Sequence, residues 1–459
     1  QPFSPIFSIM SNPHFLAIPF PILGHINPLL QFSHILARHG CKITFLTSDE
    51  NYNKMKTTSI NVSEQGKLIE SHINLVSLPD GVNPQDDRKD VAKVILSTSI
   101  TMSSMLPKLI EDINALDGDN KISCIIVTKN MGWALEIACK MGIKGALFWP
   151  ASATSLVSFD SMEKLVLEGI IDSQTGLPKK QEIQLSTNLP KMEAAAMPWY
   201  NLNNPFFFLH MMKEMQNMNL GEWWLCNTSM DLEAQALLLS PKFLPIGPLM
   251  GNEHNNIGSL WQEDETCIEW LDQHPPKSVI YVSFGSLISI GPNQFKELAR
   301  GLDLLKRPFL WVVRKDKANK NNGLEYEYPN EFKGNQGKIV GWSPQKKILG
   351  HSSIACFITH CGWNSTIESV CNGVPLLCWP FYSDQLMNKT YICDVWKVGL
   401  GFEKDENGLI TKGEIKKKVD ELLEDEEIRE RSLKLMRMVV KNKEEGSKNL
   451  NKFINWAKE

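Results

Sequence analysis

Residues 342–385 read WSPQKKILGHSSIACFITHCGWNSTIESVCNGVPLLCWPFYSDQ, and this stretch carries the signal for the class of fold. Ile354–Thr359 is a short apolar run fit for a buried strand. The polar turn HCGWN leads from it into a helix, with Glu368 one turn in, and a second apolar run follows at Pro375–Cys378. Strand, turn, helix and strand in such close order form the repeating unit of a parallel sheet covered by helices.

The same alternation extends outward from this stretch. Before it come a helix at Thr266–Gln273, a strand at Ser278–Phe284, a helix at Asn293–Leu305 and strands at Phe309–Val313 and Lys338–Val340. The insert Lys315–Pro329, crowded with Lys, Asn and Glu, reads as a solvated loop. From Thr411 onward the chain is helical and highly charged, and its runs EDEE and KNKEE read as solvent faces. A second series lies near the start. His14–Pro19 is a strand, the loop PFPILGHINP follows, then a helix at Leu29–Ala37 and a strand at Lys42–Leu46. Asn27 is placed to cap that helix, and Pro28 suits its first turn. Cys124–Val127, Gly132–Met141 and Gly145–Trp149 repeat the strand–helix–strand order. Between Ser152 and Met218 the pattern loosens. The Met-rich FFFLHMMKEMQNMN suits the wall of a pocket for a greasy ligand and equally suits plain helix packing. GEWWLCN (Gly221–Asn227) returns to strand character, FLPIGPL follows, and MGNEHNNIGS has the polar, Gly-rich composition of a linker.

The expected division is an N-terminal α/β half over residues 10–249, a linker over 250–262, and a second α/β half over 263–435. A C-terminal helix over 436–459 would complete it, with residues 1–9 a remnant ahead of a native start at Met10. The length of 459 residues agrees with two domains. A net charge of −4 offers no basic field for nucleic acid or an anionic membrane. No apolar run reaches the roughly 18 residues that span a bilayer. The ten cysteines stand singly, mostly in apolar runs, with no CxxC pair. That usage indicates buried, reduced thiols in a cytoplasmic protein and argues against a disulfide framework or a zinc site.

Ligands of open α/β sheets bind beyond the carboxyl ends of the strands, so the turns there carry the chemistry. Ser365 lies at the start of a helix whose free N–H groups and dipole form an anion site without a metal, and His360 and Ser365 add donors. SFGS (Ser283–Ser286) ends another strand and can offer Ser286 to the same anion. Trp342 suits stacking on a base, with packing as its plainer role. Glu368 can accept from ribose hydroxyls, although a Glu near a helix start is also favoured by the dipole alone. Asp384 and Gln385 pair an acceptor with a donor, as hydroxyl-rich sugars require. His25, in the loop after the first strand, is the candidate base; a loop histidine is also commonly just solvated. The dinucleotide glycine fingerprint GxGxxG and the ATP fingerprint GxxxxGK[ST] are both missing. Asp117-Gly118-Asp119 falls at the wrong end of its strand for a ligand and reads as a turn.

Trp342–Gln385 resembles, end to end, the signature box of plant family 1 UDP-dependent glycosyltransferases. The initial WxPQ, the HCGWNS core, Glu368 and the final DQ all match. PFPxxGHxxP near the start, IGPL, and CIEWLDQHPPKSVIYVSFGS are similar too, so the resemblance covers the chain from about Met10. It implies a GT-B fold of two Rossmann-like domains facing across a cleft, with a C-terminal helix crossing back. It implies inverting transfer of a sugar, glucose by the closing Gln, from a UDP-sugar to a small lipophilic metabolite. On this resemblance Trp342 stacks on uracil, Gln345 lies near the uridine and Glu368 binds the ribose. Ser286, His360, Asn364 and Ser365 hold the diphosphate, Trp363, Asp384 and Gln385 hold the sugar, and His25 is the base. No metal or resident cofactor is implied, and a monomer is expected.

One position departs from that pattern. The family places an Asp where this chain has Thr128, in CIIVTKNMGW. A hydroxyl can hydrogen-bond the imidazole but supplies no charge to stabilise its protonated form. Either an acidic phenol or carboxylate acceptor, needing little help from a base, suits such a site, or another carboxylate serves in place of the Asp. The alternative is a UDP-sugar-binding protein with weak or lost catalysis; a nicotinamide-dependent oxidoreductase is disfavoured by the missing glycine fingerprint.

Overall fold

Two parallel sheets carry the chain in a computed structural model that describes residues 12–58, 73–83, 85–86, 88, 90–200, 205–249, 263–314 and 328–459. The expected start at Met10, the linker over 250–262 and most of the insert Lys315–Pro329 lie outside the described residues.

The first sheet has seven strands. Across it they run Ile73–Leu78, Lys42–Ser48, His14–Ile18, Ile122–Val127, Lys144–Trp149, Trp223–Cys226 and Phe243–Pro245. The second has six, in the order Gly337–Val340, Phe309–Val312, Val279–Ser283, Ile354–Thr359, Leu376–Cys378 and Gly399–Gly401. Every neighbouring pair in both is parallel. Helices must therefore cover both faces, and the central strands are apolar throughout: each residue of His14–Ile18 and of Val279–Ser283 is buried. In both sheets the direction of strand succession reverses at the centre. Turns leaving the two central strands diverge there and open a crevice. The first sheet places Phe20 to His25 and Thr128 at its crevice, and the second places Ser283–Ser286 and His360–Trp363 at its own.

The opening helix corrects the reading made from spacing. It runs Leu23–Arg38, so His25 sits in its first turn and not in a loop; Asn27 is no cap and Pro28 lies inside. Pro28 has no N–H to give the carbonyl of Gly24, and the loss of that bond, with the clash of the ring, is what disfavours an interior proline. That carbonyl instead accepts from Asn364 Nδ2, across the cleft, at 3.4 Å. A contact from the other half of the molecule thus supplies a partner that local spacing could not reveal.

The Met-rich helix Pro205–Met218 buries Phe208, Met211, Met215 and Met218 in the core, while Phe207 and Met211 reach a cavity, so both readings hold in part. Asp117 ends the helix Val91–Leu116 and pairs with Lys42 at 2.7 Å, at the end of the sheet away from the cleft. The last helix, Lys443–Lys458, packs on the first sheet: Phe453 is fully buried, with its ring 5.4 Å from that of Phe15 and 6.2 Å from that of Phe32. All ten cysteines are free; Cys139 is exposed, Cys393 half-buried and the others buried.

Candidate active site

The strand Val279–Ser283 ends in a turn whose Gly285 has φ +69°, and the strand Ile354–Thr359 ends at His360 and Cys361, with φ +65° at the cysteine. Two glycines hold the His360 ring. A Cβ on Gly285 would lie 2.8 Å from its Cε1, and one on Gly362 would lie 2.4 Å from its Nε2. This is the physical reason for glycine in both SFGS and HCGW. Gly362 caps the helix Trp363–Cys371, whose first N–H groups point into the crevice beside Asn364 and Ser365. Burial, then the nearby Arg314 guanidinium, holds the His360 imidazole down to about 4, so it is neutral at pH 7. Its buried Nδ1 has no hydrogen-bond partner among the described residues. A helix start, a neutral imidazole with an unspent nitrogen, and Ser286 together suit an anionic ligand.

Beside this turn a chain of polar contacts runs along the cavity wall. Gln345 Nε2 donates to Glu368 Oε2 at 2.8 Å and to Ser365 Oγ at 3.0 Å, and Tyr281 Oη donates to Gln345 Oε1 at 3.2 Å. Burial raises the Glu368 carboxyl, while Lys346 and Gln345 pull it back. Trp342 lines the same wall. Three groups for three parts of a nucleoside (a ring face, an amide and a carboxylate) therefore stand side by side.

Asp384 and Gln385 also line the cavity. Burial raises the Asp384 carboxyl, and its Oδ2 accepts from Asn388 at 2.8 Å. Gln385 Oε1 accepts from the backbone N–H of Phe381 at 2.9 Å, which spends its carbonyl and leaves the amide N–H₂ as its donor. Trp363 is committed differently: its Nε1 donates to the Asn227 carbonyl of the first half at 3.0 Å, so the indole clamps the halves together as well as walling the cavity.

On the opposite wall stands His25. Its Nδ1 is 2.9 Å from Thr128 Oγ1, which also accepts from the Phe20 N–H at 2.9 Å. Burial, then the positive charge of Lys129, lowers the imidazole to about 3. Thr128 itself is fully buried behind the histidine and does not line the cavity.

One cavity of about 960 Å³ joins the two walls. It brings together His25, Ser286, Trp342, Gln345, His360, Trp363, Asn364, Ser365, Glu368, Asp384 and Gln385, leaving Thr128 alone behind the surface. Two residues that the sequence reading passed over belong here. Arg314 donates to the carbonyls of Ser286 and, at 2.8 Å, Ile288, pinning the Ser286 turn. Lys129 lines the cavity next to Thr128. Each follows the carboxyl end of a strand, and that position was the signal available for both. Among the described residues no group of three or more His, Cys, Asp or Glu could hold a metal ion, and no helix is long and apolar enough to cross a membrane.

Residues 202–457 match the family model described as UDP-glucoronosyl and UDP-glucosyl transferase. The chain is 39% identical to UDP-glycosyltransferase 83A1 of Arabidopsis thaliana over 98% of its own length and 97% of that protein. It is 30% identical to 7-deoxyloganetin glucosyltransferase of Gardenia jasminoides, covering 91% of this chain and 90% of the other. Its fold is similar to that of Medicago truncatula UGT71G1 complexed with UDP-glucose, with a TM-score of 0.80 at 23% identity over 98% of this chain and 99% of that one.

Proposed function

The chain belongs to the UDP-glucoronosyl and UDP-glucosyl transferase family, a GT-B family of UDP-dependent glycosyltransferases, and from that premise we propose that it transfers glucose from UDP-glucose, with inversion, to an oxygen of a small lipophilic plant metabolite. The observation that carries this reading is the single cavity shared by the His360–Ser365 turn and His25. Donor and acceptor groups then meet across it.

In the proposed complex the uracil stacks on Trp342 beside Gln345, and Glu368 accepts from the ribose hydroxyls. Ser286, His360, Asn364, Ser365 and the helix N–H groups hold the diphosphate. Asp384 and Gln385 bind the sugar hydroxyls, with Trp363 behind them. The acceptor oxygen forms its bond to the anomeric carbon from the face opposite the diphosphate. The bond from that carbon to the phosphate oxygen breaks as UDP departs with the electron pair. Fixed donors facing the departing phosphate stabilise its growing charge without reorganising. Where the acceptor is a neutral hydroxyl, His25 Nε2 takes its proton, with Nδ1 held by Thr128.

The helix start and His360 supply the stabilisation that a cation would otherwise give, so transfer is expected to persist in EDTA. A monomer in the cytoplasm is the assembly and location we propose, the latter on the free, mostly buried cysteines. Purified chain incubated with UDP-glucose and a panel of phenols, terpenoid alcohols and carboxylic acids should release UDP with at least one acceptor. No turnover with any acceptor, alongside intact UDP binding by calorimetry, would instead favour a binding protein without catalysis.

A further inference from the structure

Resting on the glycosyltransferase reading, we propose that Lys129 is the counter-ion of an anionic acceptor, so that the acceptor oxygen reaches the sugar as a carboxylate or an ionised phenol.

Lys129 stands in the turn directly after the strand Ile122–Val127 and lines the cavity together with His25 and Asp384. Its ammonium lies 3.9 Å from the Phe159 ring centroid and 5.9 Å from that of Trp149. The surrounding wall, with Phe20, Phe207 and Met211, is apolar. Among the described residues no carboxylate is paired with it. The acids whose charge reaches it are engaged elsewhere: Glu214 accepts from the Gly132 N–H at 2.7 Å and Asp384 from Asn388 at 2.8 Å. A half-buried ammonium set against ring faces, with no carboxylate in direct contact among the described residues, is costly to maintain, and a negative ligand group would relieve that cost. Burial lowers it to about 8, with Asp384 and Glu214 opposing, so it remains largely cationic at neutral pH.

The neighbouring pair points the same way. Taking a proton from an alcohol would make imidazolium at His25, near the charge of Lys129 and with a neutral Thr128 hydroxyl behind it. Two positive charges would then share the site with no carboxylate hydrogen-bonded to either among the described residues. An acceptor that arrives as an anion avoids this step. Its oxygen forms the bond to the anomeric carbon, the carbon–phosphate-oxygen bond breaks, UDP leaves with the electron pair, and no proton is transferred. Lys129 touches the acceptor in this scheme, while Thr128 remains a positioning residue.

The test uses the full chain with benzoate, cinnamate and 2-naphthoate, each measured against its primary amide, and 4-nitrophenol against 4-nitrobenzyl alcohol. Affinities are read by quenching of tryptophan fluorescence with and without UDP, and transfer by UDP release and product mass. At least one anion should bind on the order of tenfold more tightly than its neutral partner. Lys129→Met should bring that ratio to near one with UDP affinity unchanged, and Lys129→Arg should largely preserve it. The carboxylate and phenol arms identify which anion is taken. The proposal is overturned if no anion in the panel is preferred, or if Lys129→Met weakens UDP-glucose and spares the anion. Wild-type chain that binds anions but neither binds UDP nor releases it from UDP-glucose would sink the glycosyltransferase reading separately.

Discussion

At His25 the decisive feature is a hydroxyl where a carboxylate would normally stand. Thr128 Oγ1 already accepts from the Phe20 N–H, and it can either accept from His25 Nδ1 or donate to it. A carboxylate could only accept, which would fix the proton on Nδ1 and leave Nε2 free as a base. We therefore expect Thr128→Asp to raise kcat/KM toward weakly acidic alcohols by on the order of tenfold, with a smaller gain toward acidic phenols. Equal gains, or none, in a matched kinetic series would show that tautomer and charge at His25 do not limit the reaction. Burial also makes a prediction about charge. Because the folded imidazole is lowered to about 3, its neutral form persists well below the ordinary titration range. The NMR signal of labelled His25, assigned by its loss in His25→Gln, should not titrate between pH 7 and about pH 5. A midpoint near 6.5 would mean that the ring is solvated.

In the proposed donor site, UDP binding rests on the strand-to-helix turns. His360 is held between Gly285 and Gly362, and Arg314 holds the Ser286 turn from the other side. Gly285→Ala should disturb this arrangement twice over, through its φ of +69° and through a Cβ 2.8 Å from the ring. Such backbone strain costs about 1–3 kcal/mol, so UDP affinity should fall by on the order of tenfold while the circular dichroism spectrum is retained. Unchanged affinity in a calorimetric titration would separate this turn from the diphosphate. The opening helix shows the same dependence in another form, since its interior Pro28 is accommodated where Asn364 supplies a donor to Gly24.

At the scale of the molecule, contacts between the halves decide which walls face each other. Trp363 to Asn227, Asn364 to Gly24, Lys346 to Gln31 and Thr154 to Tyr391 are hydrogen bonds that cross from one to the other. The last helix adds a covalent tie with apolar packing, centred on Phe453 against Phe15 and Phe32. Phe453→Ala should cost about 3–5 kcal/mol in urea unfolding, as large-to-small changes in a packed core do. A loss under about 1 kcal/mol would mean that the helix is an appendage.

Much of this was open to reading in the chain itself. Short apolar runs between small polar turns specify buried parallel strands, because strand and helix periodicity are local properties. The turns at SFGS and HCGWNS and the carboxylate at Glu368 were legible for the same reason, while the missing acid at Thr128 was legible only against the pattern of the family that the chain resembles. Tertiary structure alone showed that the first helix begins at Leu23, ahead of Pro28, and that the carbonyl left free by this proline finds a donor on the far side of the cleft. It alone showed that the Gln385 carbonyl is spent on its own turn and that the Trp363 indole N–H crosses to the other half. It alone put the Lys129 ammonium on an aromatic wall beside His25 with no paired carboxylate among the described residues. A side chain's identity is written in the sequence; its neighbours, and therefore the charge that it is left to satisfy, are set by residues brought together only on folding.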